Sequence, residues 1–112
     1  MAGSKLREMS TDFAVKVIKL CETMKGHYSL VNQLERSATS IGANIREANY
    51  AHGKADFVAK LQIALKECSE SEYWLELLIE SGYYADTSIL DQCIEVKKLL
   101  IAAINTAKKN AK

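Results

Sequence analysis

The sequence predicts an all-α protein, an antiparallel up-down-up-down four-helix bundle, and three observations support this prediction. The 112 residues contain no proline and only five glycines, so little interrupts a helix. Apolar residues recur every three or four positions in four blocks, as they do along a helix with one buried face. No segment shows the strict apolar–polar alternation of a strand. We expect one domain over residues 1–112, with helices at about 5–24, 29–50, 54–81 and 88–108.

The first two predicted helices each have a continuous apolar stripe. The stripe of the first helix is formed by Leu6, Met9, Phe13, Val17, Leu20 and Met24. This helix ends before Gly26, because glycine readily adopts the left-handed conformation that closes many helices. The stripe of the second helix is formed by Val31, Leu34, Ala38, Ile41, Ile45 and Ala48. The break from Asn49 to Gly53 is weaker and indicates either a turn or a kink.

The third and fourth helices continue the same pattern. The third stripe is formed by Phe57, Leu61, Ala64, Cys68, Ser71, Leu75 and Leu78, and the helix ends at Ser81-Gly82. The fourth helix opens at Ser88 and Asp91, whose spacing fits a capping box. Its stripe is formed by Cys93, Val96, Leu100, Ala103 and Ala107. Connections of a few residues force sequential helices to lie antiparallel, which gives the up-down-up-down order.

Charge is distributed unevenly along a chain whose net charge is only +1. Residues 67–95 include eight acidic residues and no basic one, whereas residues 97–112 include five lysines and no acidic residue. The near-neutral total excludes a strongly basic nucleic-acid-binding module. It hides a dipolar molecule, whose acidic part can face another subunit and whose lysines can face phosphates. Lys108 and Lys109 also fit the simpler interpretation of a solubilising tail.

A second stripe, of polar residues, runs beside the apolar stripe of the second helix. Its members at heptad spacing are Gln33, Arg36 or Ser37, Ser40, Asn44 and Glu47. Two interpretations stay open: a solvated face, or a polar seam buried inside the bundle or against a second subunit. A buried Arg36 would need an acidic partner, since an unpaired buried charge is costly. The third helix offers Glu67, Glu70 and Glu72.

The residues that carry chemistry in enzymes form no recognisable constellation. The three cysteines lie on or beside apolar stripes without a CxxC pair, so we expect reduced core thiols. Both histidines fall in predicted turns, and the Glu-x-x-His motif of di-iron bundles does not occur. We therefore expect no enzymatic activity, cofactor or metal. Because no signal peptide and no membrane-spanning apolar segment is present, we expect a cytoplasmic protein without membrane contact.

The apolar surface is wider than a single bundle requires. The additions to the stripes are Val15, Ile18 and Cys21 on the first helix and Val58, Leu65 and Ile79 on the third. This surface predicts burial beyond one protomer and therefore a homo-oligomer. Tyr73 and Trp74 stand among glutamates, which favours packing over stacking on nucleic-acid bases.

Two segments of the chain resemble a known family. The first, residues 33–48, contains the order Arg-x-x-x-Ser-Ile-x-x-Asn-Ile-x-Glu from Arg36 to Glu47. The second begins at Asp56-Phe57 and continues over residues 60–75. Together they resemble the bacterial four-helix-bundle family encoded in intervening sequences of 23S ribosomal RNA genes. The accessory variability determinant protein of diversity-generating retroelements is similar to the same family.

The resemblance implies a ring-like homopentamer of four-helix protomers without catalysis of its own. It implies polar contacts within the bundle or between subunits, for which the candidates are Arg36, Ser40, Asn44, Glu47, Glu70 and Glu72. For the retroelement relative, it implies binding to nucleic acid and to a reverse transcriptase.

We therefore predict an adaptor that binds structured RNA or DNA, or a nucleic-acid-processing protein. The candidate phosphate contacts are Arg7, Lys16, Lys97, Lys98 and Lys108. The alternative is a protein–protein scaffold in which the separated charges serve assembly only.

Overall fold

The fold is seen in a computed structural model that describes residues 4–110 and shows four helices and no strand among them. The helices are α1 (Ser4–Thr23), α2 (Tyr28–Ala48), α3 (Lys54–Glu80) and α4 (Ser88–Asn110). The all-α prediction is therefore confirmed, and each helix begins and ends within two residues of the predicted range. The predicted domain also takes in residues 1–3 and 111–112, which lie outside the described part of the chain.

The helices pack in a square in which each contacts its neighbours along the chain and α4 closes against α1. The α2–α3 interface is the most extensive, and the α1–α4 interface is the least. The bundle is 49 Å long and 19 Å across. One end, which we call the terminal end, holds the start of α1, the connection 49–53 and the end of α4. The opposite end, the turn end, holds the connections 24–27 and 81–87.

The predicted apolar stripes form the core, with one correction on α4. Every member of the α2 stripe is buried, and Phe13 and Val17 anchor α1 to it. At the end of α4 the predicted stripe omits Ile104, which is buried, whereas Ala103 packs against the core from a partly exposed position and Ala107 is partly exposed. An isoleucine buries more apolar surface than an alanine, so its burial decides how the last turns of the helix are rotated.

The widened apolar surface divides into an internal and an external part. Cys21, Val58 and Leu65 pack against the core of the protomer itself. Val15 and Ile18 of α1 remain exposed. Only the external part can serve contacts with a second molecule.

The turn end is fastened by a side chain that reaches from one connection to the other. Gly26 and His27 both have a left-handed backbone, with φ of 84° and 50°, and reverse the chain between α1 and α2. The hydroxyl of Tyr83 donates to the carbonyl of Lys25 and lies 3.3 Å from the carbonyl of Gly26. The rings of His27 and Tyr83 meet edge to face at 4.9 Å. The two connections therefore hold each other in place.

The end of α3 and the start of α4 have defined caps. Gly82 has a φ of 77° and donates to the Ile79 carbonyl, while the N–H of Tyr83 donates to Leu78, which is a Schellman motif. The predicted capping box at the start of α4 is wrong, because Ser88 is already helical. Its N–H instead donates to the carboxylate of Asp86 at 2.9 Å. The same hydrogen bond lowers the pKa of Asp86.

Gly42 of α2 lies against α1 without needing to be a glycine. A Cβ placed there would lie 3.6 Å from Ser10 Oγ, which is an ordinary van der Waals contact. Because glycine is unfavourable inside a helix, we expect Gly42→Ala to raise the free energy of unfolding by about 0.5–1 kcal/mol. Chemical denaturation measures this change. A loss of stability would contradict the spacing described here.

Candidate functional site

Arg36 joins α2 to α3 at the solvent edge of their interface. Its guanidinium donates to Glu70 Oε1 at 2.8 Å and to Glu67 Oε1 at 3.3 Å. Its Nε also donates to Gln33 Oε1 at 3.3 Å. The side chain is 50% exposed, and exposed ion pairs contribute only about 0–1 kcal/mol. Arg36 therefore orients the two helices more than it stabilises them.

Two serines occupy the inside of the same interface. Ser37 and Ser71 are both fully buried, and their hydroxyl oxygens are 2.8 Å apart. Each oxygen also lies within hydrogen-bond distance of a carbonyl of its own helix, at Leu34 and Glu67 respectively. Every buried hydroxyl here thus has partners, as buried polar groups require. Of the two candidates for this position in the polar stripe, Ser37 faces inward and Arg36 faces solvent.

The remaining members of the α2 polar stripe differ in what they contact. Ser40 Oγ donates to the Arg36 carbonyl and Asn44 Nδ2 donates to the Ser40 carbonyl, both at 2.8 Å. Within the described chain, the hydrogen bonds of Ser40 and Asn44 therefore stay inside α2. Glu47 accepts a hydrogen bond from Lys60 of α3 at 3.2 Å. The predicted stripe is thus part interhelical contact and part solvent-facing surface.

Glu72 and Lys97 form the ion pair that joins α3 to α4. Lys97 Nζ lies 2.8 Å from Glu72 Oε1, and each side chain is mostly covered. The hydrogen bond to Glu72 raises the pKa of Lys97. Because its ammonium group is already held between two helices, we assign Lys97 to bundle pairing instead of phosphate contact.

The cysteines are reduced core thiols in this structure, as the sequence predicts. Cys68 of α3 and Cys93 of α4 are fully buried, with their sulfur atoms 3.8 Å apart. The hydrogen bond with Cys68 and burial raise the pKa of Cys93. Burial raises the pKa of Cys21 to about 11. A thiol is a poor nucleophile when protonated, so these groups offer little reactivity at neutral pH.

The two halves of the bundle carry opposite net charge. When each helix is divided near its midpoint, the terminal half comprises residues 4–13, 40–66 and 99–110. Its charged residues are eight bases (Lys5, Arg7, Arg46, Lys54, Lys60, Lys66, Lys108 and Lys109) and four acids (Glu8, Asp12, Glu47 and Asp56). The turn half, residues 14–39 and 67–98, has six bases and ten acids. The antiparallel order thereby converts charge separation along the sequence into charge separation along the bundle axis.

The candidate phosphate contacts do not share one surface. Besides Lys97, the turn half holds Lys16, which lies 3.2 Å from Asp12, and Lys98, which lies 3.7 Å from Glu95. A hydrogen bond from Gln92 and the pairing with Lys16 lower the pKa of Asp12. The other two candidates, Arg7 and Lys108, belong to the basic terminal half.

Sequence reasoning missed two residues of the terminal half. Arg46 follows the polar stripe but is exposed, and its guanidinium meets only the Thr11 hydroxyl, at 3.4 Å, among the described hydrogen bonds. Tyr50 stands in the connection 49–53, which is a turn and not a kink: its N–H donates to the Glu47 carbonyl at 3.0 Å. An aromatic residue in a polar turn, four positions after an arginine, was the available signal.

Comparisons with known proteins agree with this architecture. Residues 4–102 match the model of the 23S rRNA-intervening sequence protein family. The chain belongs to this family. The matched residues cover α1, α2, α3 and most of α4, so the family assignment applies to nearly the whole bundle.

A solved relative has the same fold as this intervening-sequence family member. It is a protein of unknown function from the S23 ribosomal protein family of Bacteroides thetaiotaomicron, and it is 45% identical in sequence. The alignment covers 88% of this chain and 97% of that chain, with a TM-score of 0.83. A comparison with functionally curated proteins gives no significant match.

Two further features were sought among the described residues: a cluster of metal ligands and a helix that could span a membrane. Across residues 4–110, no group of three or more histidine, cysteine or acidic side chains is arranged to hold a metal ion. Over the same residues, no helix has the length and apolar content needed to cross a membrane.

Proposed function

We propose that the chain is a non-enzymatic, homo-oligomeric four-helix-bundle adaptor. Its partner is structured RNA or DNA, or a nucleic-acid-processing protein such as a reverse transcriptase. The observation that carries the proposal is the excess of bases in the terminal half of the bundle. A surface of this charge attracts a phosphate backbone, while the acidic turn half repels it.

The non-enzymatic part of the proposal is supported by the contacts that the covered polar side chains make with each other. Ser37 of α2 binds Ser71 of α3, and Lys97 of α4 pairs with Glu72 of α3. Such contacts stabilise a scaffold and leave no activated nucleophile or base among them.

The oligomeric part of the proposal is a ring-like homopentamer, in line with the family resemblance. Its support is the set of exposed aliphatic side chains: Val15, Ile18, Ile63 and Ile101. The same set favours the second candidate function, a protein–protein scaffold that binds no nucleic acid. Sedimentation at about five protomer masses would support the pentamer, and a monomer at micromolar concentration would contradict it.

A binding titration separates the two candidate functions. We expect a structured RNA and a duplex DNA, followed by fluorescence anisotropy, to bind less tightly as salt rises, because phosphate contacts release counterions. We expect the double variant Lys108→Gln/Lys109→Gln to weaken binding and to reduce the salt dependence by about 0.9 per lost phosphate contact on duplex DNA.

The matched control removes two lysines from the other half. Lys16→Gln/Lys98→Gln deletes the same charge where acidic residues surround it, so binding should change little. Absence of binding to either probe at low salt would overturn nucleic-acid binding and leave a scaffold whose partner is a protein.

A further inference from the structure

Two of the three arginines of the chain line one depression at the terminal end. Arg7 comes from α1, Arg46 comes from the last turn of α2, and Asn49 and Tyr50 complete the lining. The depression has a volume of about 370 Å³ and contains no acidic side chain in its lining. It is therefore an open, positively charged hollow with one aromatic wall.

The two guanidinium groups lack the compensation that the third arginine has. Arg36 pairs with two glutamates, whereas neither Arg7 nor Arg46 forms an ion pair within residues 4–110. Guanidinium groups bind phosphate through paired donors in a planar fork. The same two arginines also border a neighbouring depression that Glu8 and Asp12 line, but neither carboxylate forms an ion pair with them within residues 4–110, and Asp12 pairs with Lys16. The two guanidinium groups therefore remain available to an anion from outside the chain.

Tyr50 is the aromatic residue of the hollow. Its side chain is 86% exposed, although the turn fixes its backbone through hydrogen bonds at residues 50 and 51. Tyr50 also lines a neighbouring depression with Glu47 and Asp56, where Glu47 pairs with Lys60 and Asp56 accepts a hydrogen bond from the His52 N–H. On its other side the ring stands beside Arg7 and Arg46, and an exposed aromatic ring beside cations is the arrangement on which single-stranded nucleic acids stack their bases. Tyr73, the exposed aromatic of α3, differs because its ring contacts Trp74 and its helical neighbours are acidic.

We propose that Arg7, Arg46 and Tyr50 form a binding site for an unstacked nucleotide of a single-stranded nucleic acid. The base stacks on the Tyr50 ring, and the adjoining phosphates bind the two guanidinium groups. The bases of a duplex are already stacked on each other, so only a single strand, a loop or an end can use the tyrosine. An acidic peptide would need the arginines but not Tyr50, which makes Tyr50 the deciding side chain. The site rests on the proposed function and gives its partner a chemical class.

The test is an anisotropy titration of the full-length protein with a labelled 12-nucleotide polyuridine and its polydeoxythymidine counterpart. We expect Tyr50→Ala to weaken binding about 5- to 140-fold, because one base loses its stacking partner. Tyr50→Phe keeps the ring and should bind like the unmodified protein. Arg7→Gln and Arg46→Gln should each weaken binding and reduce the salt slope by about 0.7.

Two controls isolate stacking from general effects. Tyr73→Ala removes an exposed aromatic from the acidic half and should leave binding unchanged. A strand whose bases are replaced by abasic sites should bind Tyr50→Ala and the unmodified protein equally, because no base is left to stack. Sedimentation of Tyr50→Ala should give the unmodified mass.

Each contrary result has a distinct meaning. Unchanged affinity in Tyr50→Ala, with weaker binding in the arginine variants, would reduce the hollow to an anion-binding patch and overturn the proposal. A smaller sedimenting mass in Tyr50→Ala would identify a subunit contact and overturn it as well. Binding of structured RNA or duplex DNA without any binding of single strands would overturn this site but not the adaptor function. No binding of any nucleic acid would overturn both this site and the nucleic-acid-binding role of the adaptor.

Discussion

Replacing Phe13 with alanine is expected to lower the free energy of unfolding by about 3–5 kcal/mol. Phe13 is fully buried and is the largest side chain that α1 contributes to the core. Its removal forfeits the burial of an aromatic ring and leaves a cavity that the packed neighbours fill only in part. Because domains of this size are stable by about 5–15 kcal/mol, the loss is a large fraction of the total.

Urea denaturation at a fixed protomer concentration measures this loss, since assembly itself stabilises subunits. The matched control is Tyr28→Ala, an aromatic-to-alanine change at a residue that is 65% exposed. We expect it to cost less than about 1 kcal/mol, because surface substitutions seldom change stability much. Equal losses in the two variants would show that burial in one protomer does not set the stability of α1.

The architecture could be predicted from the sequence because it depends on a period that the sequence displays directly. In α2, every residue of the predicted stripe is buried. The errors occur where two solutions satisfy that period. At the end of α4, both Ala103 and Ile104 continue the spacing from Leu100, and only packing decides between them. At the start of α4 the helix begins at Ser88 itself, so this serine cannot cap it from outside, and its N–H donates to the Asp86 carboxylate of the preceding loop.

The contacts of the candidate site were harder to predict, because they depend on how each helix is rotated about its own axis. The sequence offers Glu67, Glu70 and Glu72 as partners for Arg36, but it does not reveal which of them α3 turns toward α2. In the structure, Glu67 and Glu70 meet Arg36, and Glu72 faces the other way toward Lys97. The rotation of α3 decides this, since residues 70 and 72 lie about 200° apart around a helix.

The positively charged hollow that Arg7, Arg46, Asn49 and Tyr50 line could not be predicted from helical periodicity either. Arg7 and Arg46 are far apart along the chain, and they line the same hollow because α1 and α2 are antiparallel. The antiparallel topology is enough to predict that the start of α1 lies beside the end of α2. Whether the arginines find carboxylates there depends on individual side chains, and Glu47 is occupied by Lys60.

Replacing Ser37 with leucine is expected to destabilise the bundle by about 2–4 kcal/mol. The space that a larger side chain needs is filled by the Ser71 hydroxyl, 2.8 Å from Ser37 Oγ. Overpacking a core costs about 1–3 kcal/mol, and the loss of a hydrogen bond at Ser71 adds about 1 kcal/mol. Ser71 keeps the Glu67 carbonyl as a partner, which limits the second cost.

Ser40→Leu is the control that separates crowding from the chemistry of the substitution. Ser40 lies one turn later on the same helix, also donates to a backbone carbonyl, and is partly exposed. We expect Ser40→Leu to cost less than about 1 kcal/mol, and we expect Ser71→Ala, which removes the crowding hydroxyl and keeps a good helix former, to restore part of the stability lost in Ser37→Leu. A larger loss at Ser40 than at Ser37 would contradict the inward orientation of Ser37. Such a result would indicate that Ser40, which is partly exposed in a single protomer, is buried against a second subunit.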